Sequence, residues 1–217
     1  MILKSKIWFS TFCRVSQNRY KRHVHDISKI KKKWILFALL TLGGLFVAGI
    51  LMVGGAAALA WTNTEAFCIG CHEMKNNVYA EYKGTIHDQN RTGVRAICSD
   101  CHVPREPVAM IKRKMQASLE LYGHFISKSI DTPEKFEAKR HELATHVWTR
   151  MQETDSIECR NCHNESKMSK ELQTPKAQVR HSKGKADNLT CIDCHFGIAH
   201  QEPKGPGPRE LALLKAK

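Results

Sequence analysis

Residues 67–77 read FCIGCHEMKNN, and the centre of that stretch, Cys68-Ile-Gly-Cys71-His72, decides how the rest of the chain is read. Two cysteines three apart with a histidine behind them suit a redox thiol pair, half of a zinc site or a c-type haem attachment. The pattern recurs as Cys98-Ser-Asp-Cys101-His102, Cys159-Arg-Asn-Cys162-His163 and Cys191-Ile-Asp-Cys194-His195, which takes eight of the nine cysteines. A zinc ribbon needs the paired cysteines and has no use for a histidine after each pair. With 12 histidines in 217 residues, four such followers have chance odds on the order of 10⁻⁵. C-x-x-C-H is the c-type haem signature: two thiols form thioethers to the haem vinyls and the adjacent histidine is the natural proximal ligand. Four covalently attached c-type haems are therefore expected. The ninth cysteine, Cys13, stands alone and reads as an ordinary free thiol.

The amino end sets a second expectation. Residues 1–33 hold ten Lys/Arg against one Asp, and residues 35–60 follow without a charge. At a rise of about 1.5 Å per residue this apolar run reaches roughly 39 Å, enough to cross a bilayer with some tilt. Ala58-Leu59-Ala60 resembles a signal-peptide cleavage site, but the run is far longer than a signal h-region, so a retained anchor is expected. Lys29, Lys31, Lys32 and Lys33 abut the span on its amino side, which keeps that side cytoplasmic, and Trp34 and Trp61 bracket it as interfacial aromatics do. The motifs then lie outside, in a bacterial periplasm. Ile2, Leu3, Ile7, Trp8, Phe9 and Phe12 suit either a short helix on the cytoplasmic surface or a frayed tail. Gly44 and Ala48 form a small-xxx-small pair, a weak signal for a homodimer through the span.

The net charge of +13 does not imply nucleic acid. Residues 1–33 carry +9 of it and the remainder +4. Each ferric c-haem with two ionised propionates adds about −1, which brings the exported part close to neutral.

Motif starts at 68, 98, 159 and 191 are spaced short, long, short, as two dihaem modules would be. The expected fold is mainly α with much irregular structure: one N-terminal transmembrane helix and a haem-packed periplasmic domain. The expected divisions are a basic segment (1–33), the span (34–61), a first dihaem module (62–106), linking helices (107–153), a second dihaem module (154–203) and a tail (204–217). In the first linking helix Val108, Ile111, Met115, Leu119 and Tyr122 recur at helical spacing, a stripe for packing. In the second, Asp131 reads as the cap, Pro133 opens the first turn and Glu134 completes a capping box.

The motif histidines His72, His102, His163 and His195 are the proximal candidates. His23 and His25 precede the span and are excluded by topology. His87, eleven residues before Cys98, and His181, ten before Cys191, occupy equivalent places, and His200 follows His195 by five. These three are the distal candidates. His124, His141 and His146 read as surface or packing residues. The first module lacks a matching histidine, with Arg105 near its place, so Met74 is either a thioether ligand of the first haem or a packing residue beside an open position.

The single anchor, the four motifs and the stretches CHEM, GVRAICSDCHVP, KMQASLELYG, ECRNCH and CIDCHFGIAH resemble the NapC/NirT/NrfH family of membrane-anchored tetrahaem quinol dehydrogenases, the NapC branch most closely. The resemblance covers about residues 30 to 203. It implies electron transfer from membrane quinol (menaquinol or ubiquinol) to a periplasmic terminal reductase or its cytochrome subunit. It also implies Met74 at the first haem, His87 at the fourth, His181 at the second and His200 at the third, with a lysine near Lys114 ligating the second haem in some relatives. It maps the quinol pocket to Lys114 and Glu120. Six residues on an ideal helix put those side chains about 120° off one face, so a direct pair needs a bend, whereas Arg113 and Glu120 share a face. Two rival functions stay open: an electron-transfer subunit fed by another membrane protein, and a catalytic multihaem reductase.

Overall fold

The computed structural model describes residues 3–215, with side chains for Lys29 and residues 31–214. Among the described residues there is no strand. The chain forms two compact units, residues 1–59 and 60–217.

The first unit is almost wholly helix α1, Leu3–Trp61, whose last two residues run on into the second unit. Within Lys31–Trp61 an apolar window reaches a mean hydropathy of 2.5, and none of that window is buried by other protein. A helix apolar all round has to be covered by something other than water. The backbone from Leu3 is continuous with the span, so a separate surface helix and a frayed tail both give way to one helix. The side chains of Ile2, Leu3, Ile7, Trp8, Phe9, Phe12, Cys13, His23 and His25 lie outside the described residues.

The second unit contains both sets of motifs. Its helices are α2 (Glu65–Cys68), α3 (Tyr79–Tyr82), α4 (Cys98–His102), α5 (Pro107–Phe125), α6 (Pro133–Glu153), α7 (Ile157–Arg160), α8 (Pro175–Ala186) and α9 (Pro208–Lys215). A π-helical turn, Met74–Val78, precedes α3, and 3₁₀ turns cover Glu165–Lys167 and Cys191–Asp193. The sequence makes these short pieces with local caps. Asp100 accepts the Ile97 N–H at 2.9 Å, and Asp193 accepts the Thr190 N–H at 2.7 Å. The aspartate inside C-x-x-C thus closes the turn that carries its own cysteines. Glu106 caps α5 by accepting from the N–H groups of Val108 and Ala109.

Helix α6 is capped by Thr132, which accepts from Lys135 N–H, with Pro133 at the first position. Asp131 is instead ion-paired to Lys135 at 2.7 Å, so the cap lies one residue later than the sequence suggested and Glu134 falls out of register for a capping box. The apolar core is small: Trp148, Met151 and Ile192 are buried together, with Ala144, Val147, Phe196 and Leu211 packed against them. Buried Ser156 ties the third motif to the fourth by accepting the Ile192 N–H at 3.2 Å. Gln152 joins α6 to the fourth motif by donating to Asp193 Oδ1 at 2.6 Å.

The stripe on α5 does not pack inward. Val108, Ile111, Met115, Leu119 and Tyr122 are all exposed, because the opposite face of the helix carries the side chains that bind the rest of the unit.

Candidate haem-ligand pairs and the first-motif site

Each of the four motif histidines lies near a second imidazole, and His72 and His124, 5.6 Å apart, are a case of their own. His87 lies 6.1 Å from His163, His102 lies 6.2 Å from His200, and His181 lies 6.1 Å from His195, ring centre to ring centre. Two metal–imidazole bonds of about 2 Å, plus about 1.1 Å from each nitrogen to its ring centre, separate trans imidazoles by roughly 6 Å. The three spacings therefore fit one iron between each pair. The neighbours differ from those the resemblance implies: His87 lies beside the third-motif histidine, His200 beside the second and His181 beside the fourth. Two of the three pairs still join residues of different sequence modules, and the His181 pair stays within one.

Second partners orient the rings. His200 Nδ1 lies 3.0 Å from the Val78 carbonyl, and His181 Nδ1 lies 2.8 Å from Gln173 Oε1. A proton on each Nδ1 satisfies those oxygens and leaves Nε2 free for a metal. Burial pushes the His102 pKa down to about 3, with His200, Arg150 and Arg113 adding to it. Burial lowers His87 and His200 as well. All three rings are held neutral, the form that ligates. The His87 loop is pinned by the Tyr82 hydroxyl, 2.9 Å from the His87 carbonyl and 2.5 Å from the Ala96 carbonyl, and burial lifts that phenol to about 12.

The first motif is built differently. His72 Nε2 is 3.1 Å from Glu73 Oε1, and the same oxygen is 2.5 Å from His124 Nδ1. Glu73 is buried, and the three ligand atoms lie within 4.8 Å of one another. A carboxylate bridges these two rings, where the other pairs face each other across open distance. Met74 begins the π-helical turn directly after this cluster. Glu73 and the partnership of His124 were missed from sequence, because nothing in the spacing brings residue 124 to residue 72.

Lys114 and Glu120 do not meet. The Lys114 ammonium donates to the Thr62 carbonyl at 2.7 Å and the Thr62 hydroxyl at 3.0 Å, and burial lowers its pKa. Glu120 is ion-paired to Arg113 at 2.9 Å. Arg105 lies 3.6 Å from Asp100 of the second motif and 4.0 Å from Cys162 Sγ of the third. His141 packs on Trp148 and bonds the Pro206 carbonyl at 3.0 Å, and His146 is exposed.

The cysteines, whose thiols stand where thioether sulfurs form, run in order through the unit. A hydrogen bond with Cys98 lowers Cys68 to about 7, with Lys114 nearby adding to the effect. Cys101 is raised by burial first and then by Asp100 and Cys162, and Cys159 rises to about 11 through burial, Cys191 and Cys101. Each motif thus feels the next one along. The buried guanidinium of Arg150 leaves Nε and Nη2 without hydrogen-bond partners, and Arg113 leaves Nε. Both act on His102. Unpartnered buried cations beside a bis-imidazole pair suit the propionates of a haem, so cysteines, imidazoles and guanidinia all fit that group.

Comparison with known proteins agrees with this geometry. Residues 29–205 match the family described as NapC/NirT cytochrome c family, N-terminal region. The chain is 55% identical over 170 residues to the denitrification system component NirT of Stutzerimonas stutzeri, covering 76% of this chain and 84% of that one. It is 48% identical over 182 residues to the cytochrome c-type protein NapC of Escherichia coli K12, covering 82% and 90%. It is 49% identical over 172 residues to the cytochrome c-type protein TorC of the same strain, covering 79% of this chain and 43% of that longer one. No solved structure matches. With the C-x-x-C-H motifs, the paired imidazoles and an apolar helix near the amino end, the chain belongs to the NapC/NirT cytochrome c family of covalently haem-bearing electron-transport proteins.

Proposed function

We propose that this protein is a quinol-oxidising cytochrome with four c-type haems, anchored in a bacterial inner membrane by α1 with its second unit in the periplasm. It passes electrons to a periplasmic terminal reductase of the nitrate or nitrite type. The relative named as a denitrification system component supports that partner class.

The observation that carries the reading is the position of Lys114. Its ammonium holds Thr62, the residue directly after the apolar span, and it also lies close enough to the first-motif thiol Cys68 to lower its pKa. The end of the apolar span, a half-buried cation and the first haem-attachment motif therefore coincide. Quinol gives up two electrons and two protons. Haems held at the motifs would supply one-electron acceptors. Lys114 supplies a donor that orients the quinol oxygen, and Glu120, its carboxylate held by Arg113 yet partly open, takes the hydroxyl proton. Met74 and His72 would hold the first haem, with the Glu73 bridge engaging His72 and leaving the thioether as the freer ligand. The pairs His102/His200, His87/His163 and His195/His181 would hold the second, third and fourth.

The test compares two reductants on the purified holoprotein. Glu120→Gln and Lys114→Met should slow reduction by a quinol analogue, by about 10²–10⁴-fold for the carboxylate, and leave reduction by dithionite unchanged. Equal slowing with both reductants would place these residues in the fold. A wild-type protein that quinol analogues never reduce would be a subunit fed by another membrane protein. Turnover of nitrite or hydroxylamine by the isolated protein would make it a reductase in its own right.

A further inference from the structure

Helix α5 is inside out. Its inward face carries Arg113, Glu120 and His124, bound to Glu120, Arg113 and Glu73 respectively, and Lys114, at the edge of that face, is bound to Thr62. Its outward face carries Val108, Ile111, Met115, Leu119, Tyr122 and Phe125, which are 48–73% exposed. Nineteen residues at about 1.5 Å each make a stripe roughly 28 Å long, and a stripe of that length on a soluble surface marks a binding face.

Two connections say what covers it. Lys114 is bonded to Thr62, and Met110 Sδ accepts from the Asn63 amide at 3.4 Å. Thr62 and Asn63 are the first two residues after the apolar span, so α5 is tied to the chain within one or two residues, about 4–7 Å of backbone, of the span's end. Trp61 and Phe67 are also exposed there, with their rings 4.8 Å apart. The exposed charged residues along the stripe and at its ends include Arg105, Lys112 and Lys128, which suit lipid phosphates. A haem on this face is disfavoured by the same geometry. Arg113 and His124, which reach towards the second and first motifs, leave from the opposite face of a helix about 10 Å across.

We propose that α5 is an interfacial helix, its apolar face seated at the headgroup–acyl boundary of the bilayer that α1 crosses. The second unit then has two membrane attachments, one spanning and one lying in the surface. The helix that carries Lys114 and Glu120 is held at the depth where a membrane-dissolved substrate arrives. This inference rests on α1 crossing the bilayer and is independent of quinol oxidation.

The full-length holoprotein, with Cys13→Ser, is reconstituted into phosphatidylethanolamine/phosphatidylglycerol vesicles. Nitroxides are attached in turn at Met115→Cys, Leu119→Cys and the control Leu172→Cys, a position 87% exposed and far along the chain from the span. Accessibility to dissolved oxygen relative to a water-soluble nickel chelate should be roughly threefold or more higher at 115 and 119 than at 172. Labels at 115 and 119 as open to nickel as the one at 172 would put the face in water and overturn the inference. Labels closed to both reagents would put it under protein or haem and overturn it equally. Protein that fails to float with the vesicles would overturn the anchoring reading and this inference together.

Discussion

The rings of His102 and His200 lie 6.2 Å apart with their planes 24° from parallel. One residue belongs to the second motif and the other follows the fourth, so the pair closes the unit from its first motifs to its last. His200 is held by the Val78 carbonyl, and the neighbouring Gln201 N–H donates to Glu81 at 3.0 Å.

Each distal imidazole should answer for one haem. His200→Ala should convert one low-spin haem to high spin and leave the others intact, and His87→Ala and His181→Ala should do the same at different haems. His146→Ala should change nothing. Optical and electron paramagnetic resonance spectra of the purified variants check this. Low-spin spectra unchanged by His200→Ala would refute its pairing with His102.

The planes of the three pairs differ: 24° for His102/His200, 44° for His181/His195 and 82° for His87/His163. Near-perpendicular imidazoles leave the iron d orbitals nearly degenerate, which gives a strongly anisotropic low-spin signal. The most anisotropic signal of the oxidised protein should therefore disappear in His87→Ala and persist in His200→Ala.

Arg150 is a buried cation with unpartnered donors near His102. Replacing it by Leu removes positive charge that favours the reduced haem. The second haem's midpoint potential should fall on the order of 50 mV, about 1 kcal/mol for one electron. A redox titration followed optically reads this, and a potential unmoved by Arg150→Leu would exclude contact with the propionates.

The Glu81 carboxylate is gripped by Arg140 at 2.7 and 2.9 Å, which ties α3 to α6. Burial alone would raise its pKa, but the Arg140 and Gln201 hydrogen bonds outweigh that and hold it below the ordinary 4.5. Its contribution to stability is therefore complete above that value and fades as pH falls through the lowered one. Glu81→Gln should cost about 2–3 kcal/mol at pH 7, and the gap to the parent should narrow in denaturant titrations toward pH 3. A gap that stays constant with pH would assign the loss to packing.

Much of this was legible in one dimension. Haem attachment follows from covalent chemistry, since C-x-x-C-H needs only neighbours along the chain. The anchor follows from an uncharged run whose length is set by helix rise. The choice of His87, His181 and His200 came from module spacing; all three lie beside motif imidazoles, but so does His124. Which imidazole each one meets was not legible, because partners such as residues 102 and 200 are joined by folding alone. The His72–Glu73–His124 cluster escaped for the same reason. The periodicity of α5 announced an apolar stripe but not its direction. A helical pattern is the same whether core or lipid covers it, and only the hydrogen bonds from Lys114 to Thr62 and from His124 to Glu73 turned the charged face inward.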